Sequence, residues 1–137
     1  MKKLLITGGN GQLATAFESL FKAKFNLISL DSSEFDITNK LEVKENLRKI
    51  NPDIILNCAA YTNVDGAEND FERANKVNSE GIKNILCEFR NLFIHISTDY
   101  IFDGINGPFS ENDKSNPINN YGLSKLNGEK IVEILEK

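Results

Sequence analysis

The chain predicts an α/β fold, a doubly wound parallel sheet in three α/β/α layers, and three observations carry that prediction. The apolar run Leu4-Leu5-Ile6 leads straight into a Gly-rich stretch, Thr7-Gly8-Gly9-Asn10-Gly11-Gln12-Leu13-Ala14, which opens an amphipathic helix. Strand-length apolar runs then alternate with helix-period segments to the end of the chain, the pattern of parallel strands joined by right-handed crossovers. Polar groups gather where the apolar runs stop, at the carboxyl ends where such sheets bind ligands. The 137 residues make one domain, 1–137, able to bury roughly two-thirds of its unfolded surface.

Each element has its own justification. In the first helix Leu13, Phe17, Leu20 and Phe21 recur at i, i+4, i+7 and i+8, a stripe that must pack on a sheet. Asn26 to Leu30 reads as the second strand, and a short third strand is expected around Glu34-Phe35-Asp36. Thr38 or Asn39 then caps a helix with Val43, Leu47 and Ile50 on its inner face, and Pro52 prevents it from continuing. Asp53 to Ala60 is nearly continuous in apolar residues, as a parallel strand covered on both faces should be. One long helix is expected from Phe71 to Phe89, with Val77, Ile82, Ile85, Leu86 and Phe89 in register. Leu92 to Ser97 forms the fifth strand, and a loop with Gly104, Gly107, Pro108 and Pro117 follows. The last helix starts near Asn120 and carries Leu123, Leu126, Ile131, Ile134 and Leu135 to the chain end.

Composition narrows the function. Net charge is -4 with both signs scattered, so there is no basic footprint for nucleic acid or for an acidic membrane. Apolar runs fall short of the ~18 residues of a membrane span, and the opening Met-Lys-Lys-Leu-Leu-Ile breaks too early for a signal peptide, so a cytoplasmic protein is expected. Cys58 and Cys87 each lie in an apolar stretch and read as small buried hydrophobes. His95, the single histidine, reads as a satisfied core or surface imidazole.

The Gly-rich stretch suits a dinucleotide, although a plain tight turn would look similar. Gly8 permits the sharp strand-to-helix turn, Gly11 admits a pyrophosphate, and Ala14 keeps helix and strand close. The helix opened by Gln12 and Leu13 then offers free N–H groups to phosphate. Asp31, ending the second strand, suits the adenosine ribose hydroxyls, and the small Ala59 and Ala60, followed by Tyr61, let the chain approach a cofactor. Asp36-Ile37 lies where an adenine edge would reach, but Asp36 reads equally well as a helix-entry turn residue.

A second constellation is Tyr121-Gly122-Leu123-Ser124-Lys125, where the four-residue step puts phenol and ammonium on one helix face. Bringing a phenol of pKa about 10 down by ~3 units needs about 4 kcal/mol of preferential stabilisation of the phenolate, which a desolvated ammonium can supply. Thr98, at the tip of the fifth strand, can place a hydroxyl on a substrate oxygen.

Together TGGNGQLA, NCAAYTNVDGAE, VNSEG, HISTDYIFDG and YGLSK resemble the extended short-chain dehydrogenase/reductase family, and within it the dTDP-4-dehydrorhamnose reductases. The resemblance implies a Rossmann-like fold and hydride transfer from NADH or NADPH to the 4-keto group of a dTDP-deoxysugar. It implies Thr98, Tyr121 and Lys125 as the catalytic residues, with Tyr121 and Lys125 also touching the cofactor beside Gly8, Gly11, Gln12, Leu13, Asp31, Asp36, Ile37, Ala59, Ala60 and Tyr61. Thr98, Asp99 and Tyr100 would meet the substrate, and Asn78 matches a family position that can serve simply to hold the long helix. Family members run to roughly twice this length, so an N-terminal fragment lacking the C-terminal substrate domain is expected. A carboxylate that helps some relatives bind a metal at a dimer contact is replaced by Ala16, so no metal is expected, and a homodimer stays open. Two other readings stand beside a reductase: an epimerase or dehydratase of the same fold, and a non-catalytic NAD(P)-binding regulatory protein. A lean toward NADH rests on Asp31, because neither Ser32 nor Ser33 offers a 2′-phosphate any positive charge.

Overall fold

The structure is a computed structural model that describes residues 1–135, so the last two residues of the expected final helix lie outside it. Four parallel strands, β1 (Lys3–Thr7), β2 (Asn26–Leu30), β3 (Ile54–Asn57) and β4 (Leu92–His95), form a sheet in the order β2-β1-β3-β4. The chain therefore starts at an inner strand, winds one way to β2 and the other way to β3 and β4. That leaves a switch point at the carboxyl ends of β1 and β3.

Alternation along the strands divides the core into two layers. Leu4, Ile6, Ile54 and Leu56 face α1 (Gln12–Phe21), meeting Ala14 and Phe17. On the other face Leu5, Ile55 and Phe93 meet Val43 and Leu47 of α2 (Lys40–Ile50) and Ile82, Ile85 and Leu86 of α5 (Gly81–Glu88). The three-layer α/β/α architecture is as expected. No helix among the described residues is long and apolar enough to cross a membrane.

Local chemistry sets the boundaries. Asn39 caps α2 by accepting a hydrogen bond from Glu42 N–H, and the helix closes on Asn51 in the left-handed region (φ 46) just before Pro52. Residues Glu34-Phe35-Asp36 form no strand. Asp31 accepts from Ser33 and Glu34 N–H, Phe35 N–H donates to the Asp31 carbonyl, and Asp36 accepts from Thr38 N–H. These short-range bonds fold the segment into turns in place of a ladder, while Phe35 and Ile37 plug the core. The expected fourth and fifth strands are thus β3 and β4, and they stop at Asn57 and His95 rather than at Ala60 and Ser97.

The remaining departures concern helices. In α1 the buried line runs through Ala14 and Phe17, leaving Leu13 and Leu20 exposed, because small Ala14 marks the closest approach to the sheet. The helix expected over Phe71–Phe89 is helical from Phe71 to Glu88 but not one α-helix: α4 (Phe71–Asn75), capped by Asp70, passes through a π turn (Lys76–Glu80) into α5, and a separate short helix, α3 (Val64–Asn69), capped by Asn63, precedes it. Cys87 lies exposed on α5, not buried, whereas Cys58 is half-buried after β3. A 3₁₀ turn (Asp99–Ile101) follows β4, and α6 is described over Asn120–Leu135.

Candidate active site

Every strand ends its carboxyl side at one surface, and the segments leaving it bring the predicted residues together. Gly8 turns the chain out of β1 at φ +72, and a side chain there would collide with the backbone of Cys58 and Ala59, 2.7 to 2.8 Å from an added Cβ. The Gly-rich turn is therefore seated directly on the Ala59-Ala60 strip. Gly11 N–H closes the turn on the Gly8 carbonyl at 2.9 Å, and Gly9 N–H ties it to Leu30 of β2. No side chain caps α1 and no acidic residue occupies its first turn, so the N–H groups of Gln12 and Leu13 face an anion-friendly end.

Asp31 stands at the end of β2 with both oxygens engaged. One accepts from Ser33 N–H, the Ser33 hydroxyl and Glu34 N–H, and the other accepts from the Asn10 amide at 2.5 Å. The Ser33 hydroxyl is the chief cause holding this carboxyl below its ordinary range. Asn10, inside the Gly-rich turn, was absent from the sequence-based set, although its position between Gly8 and Gly11 was the available clue. Asp36 is spent on Thr38, accepting from both its N–H and its hydroxyl. The Ile37 side chain is in the core, so the only part of it open to an adenine is backbone.

The second cluster sits where α6 crosses the end of β4. Lys125 is only 3% exposed, and its Nζ donates to the Ile96 carbonyl at 2.6 Å, two residues before Thr98. Burial pushes its pKa down to about 8, partly opposed by Glu129 and Cys58. Tyr121, one turn earlier, is buried among Tyr61, Val64, Ala67 and Ala74, and Tyr100 meets its ring edge-on at 5.4 Å. A Cβ on Gly122 would overlap the Tyr100 carbonyl, so only glycine lets α6 lie this close to the segment carrying Thr98. The Thr98 hydroxyl accepts from Tyr100 N–H and caps the 3₁₀ turn. Thr98 and Asp99 open onto a cleft of about 540 Å³ whose wall also includes Phe102 and Glu129.

A buried polar row runs beneath this cluster. Thr7 donates its hydroxyl hydrogen to Asn57 Oδ1 at 2.5 Å, which turns the Asn57 amide nitrogen toward His95 Nδ1 at 3.3 Å. Nδ1 therefore accepts and the imidazole proton sits on Nε2, which is buried without a partner. The histidine is only half satisfied, contrary to expectation. Burial, with Lys125 adding to it, holds His95 neutral by lowering its pKa to about 4. Cys58 nearby is pushed up by burial. No group of three or more His, Cys, Asp or Glu is placed to hold a metal ion among the described residues.

The comparisons with known proteins match the chain over nearly its whole length. The family model described as RmlD substrate binding domain matches residues 1–137. A dTDP-4-dehydrorhamnose reductase from Aggregatibacter actinomycetemcomitans is 38% identical over 96% of this chain and 47% of its own length. The crystal structure of a dTDP-4-dehydrorhamnose reductase from Clostridium acetobutylicum superposes with TM-score 0.94 at 40% identity, over 97% of this chain and 49% of that one. One from Bacillus anthracis, solved in complex with NADP, also gives 0.94, at 35% identity over 99% of this chain and 50% of that one. The chain spans about half the length of these relatives.

Proposed function

The chain belongs to the RmlD substrate binding domain family, and from that premise we propose that it carries the cofactor site and catalytic residues of an NAD(P)H-dependent reductase converting dTDP-4-dehydrorhamnose to dTDP-L-rhamnose. The observation that supports this most is the buried Lys125, one helical turn from Tyr121 and anchored to the strand end that leads to Thr98.

The residues present fit a dinucleotide. The uncapped start of α1 suits the pyrophosphate, the strip Ala59-Ala60-Tyr61 leaves room beside Gly8, and Asp31 suits a ribose diol. When bound, NAD(P)H supplies the hydride that reduces the keto carbon. In this reading Tyr121 gives its phenolic proton to the ketone oxygen and Thr98 donates a hydrogen bond to the same oxygen. Lys125, held in a dry setting where its charge acts strongly, binds the nicotinamide ribose. Asp99 and Tyr100 line the substrate side. In this reading the partner is a nucleotide sugar and the setting is the cytoplasm.

Asp31 and the cation-free pair Ser32 and Ser33 favour NADH over NADPH. The test is an assay of the full-length protein with dTDP-4-dehydro-6-deoxy-L-mannose and each cofactor. Consumption of reduced cofactor that depends on the keto-sugar supports the reading. Absence of turnover with both cofactors sinks it, and an NADPH preference that survives Asp31→Ala removes Asp31 as the selector.

A further inference from the structure

Three segments that are distant in sequence meet at one buried hydrogen-bonded junction. Asn78, on the π turn, accepts from Tyr61 N–H at 2.8 Å and donates back to the Tyr61 carbonyl at 3.0 Å, gripping the strip that follows β3. Its second amide hydrogen goes to Ser124 Oγ at 2.9 Å, and Ser124 donates in turn to the Tyr121 carbonyl at 2.7 Å. Asn78 and Ser124 are 1% and 0% exposed. The helices are locked in contact here, because a Cβ on Gly128 would overlap the Asn78 carbonyl. The amide has used both donors and its acceptor, so the junction has one arrangement, and a buried network of this kind specifies position.

We propose that Ser124 is a positioning residue: through Tyr121 on one side and Asn78 on the other, it ties the placement of Tyr121 to the Ala59-Ala60-Tyr61 strip. The inference rests on the reading of that strip as a cofactor surface and of α6 as the helix that carries the proton donor. Ser124 touches neither substrate nor cofactor. It fixes the first turn of α6, which carries the phenol, while the Ile96 carbonyl holds Lys125 and Asn78 alone suffices to hold Tyr61.

The two residues therefore divide the effects. In the full-length protein, Ser124→Ala lowers kcat by about tenfold, as slight misplacement of reacting groups does, with the dissociation constant for NADH within about twofold of wild type. Asn78→Ala lowers kcat and weakens NADH together, and the double variant resembles Asn78→Ala alone because the two share one network. Ser124→Cys, with a longer and weaker donor, gives an intermediate kcat. A wild-type kcat in Ser124→Ala overturns the proposal, as does an equal loss of NADH binding in both single variants. Should the keto-sugar prove not to be a substrate, NADH titration still decides: weakening in Asn78→Ala but not in Ser124→Ala supports the division, and any other pattern contradicts it.

Discussion

Tyr121 and Lys125, the proton donor and the ammonium of the proposed mechanism, are set apart from ordinary side chains of their kind by burial. Both are enclosed by α6 and its neighbours, and Lys125 keeps a single carbonyl partner, Ile96, so its charge faces little competing solvent. Tyr121→Phe keeps the ring contacts with Tyr100 and Ala74 and deletes only the hydroxyl. Turnover should fall by ~10²- to 10⁴-fold with NADH affinity nearly unchanged, and a near-normal rate would remove Tyr121 from the chemistry. His95 shows the opposite use of burial. Its folded pKa of about 4 lies below the ordinary 6.5, so the folded chain binds fewer protons than the unfolded chain between those values. Stability present above pH 6.5 is then lost as pH falls toward 4, by up to about 3 kcal/mol. His95→Gln should flatten that loss when unfolding free energy is measured by denaturant titration across this window; an unchanged slope would assign the acid sensitivity elsewhere.

At the scale of elements, legibility followed how locally each structure is encoded. The Gly-rich turn could be read because a φ of +72 against the Ala59 backbone writes itself directly as Gly8. The cap of α2 was equally local: Asn39→Ala should cost ~1 kcal/mol, seen as a lowered denaturation midpoint, and no loss would mean that Thr38 or water replaces the cap. The alternation of Phe35 and Ile37 looks like a strand, and only the competing bonds of Asp31 and Asp36 make it a pair of turns. Along the long helix, the five-residue step from Val77 to Ile82 is the spacing of a π turn, yet it passes easily for ordinary helical register. The Ser124–Asn78 bond and the Lys125 anchor at Ile96 were not legible, because each depends on how α6 crosses other elements rather than on neighbours in sequence.

In the whole molecule the sheet displays its site at one end and an open flank at β4. Leu92 and Ile94 are 56% and 39% exposed along that edge strand, and Ile96, just past its end, is 36% exposed, so the strand presents unpaired backbone groups beside apolar side chains. The 137-residue chain should therefore self-associate with rising concentration in sedimentation experiments, and Ile94→Lys should shift it toward monomer; association unchanged by the lysine would place the contact elsewhere. Loops from all four strands meet at the carboxyl end of the sheet, a surface that bears the Gly-rich turn, Asp31, the Ala59-Ala60 strip and Thr98, with Tyr121 and Lys125 of α6 buried beside it. The central claim is that this surface delivers hydride to a sugar ketone. It is tested most directly by incubating the full-length protein with NADH deuterated at the transferable position and dTDP-4-dehydro-6-deoxy-L-mannose, then locating the label by mass spectrometry and NMR. Deuterium bound at C4 of the product sugar, lost in Tyr121→Phe, is the predicted result. A sugar that is unlabelled, or labelled at another carbon, would contradict it.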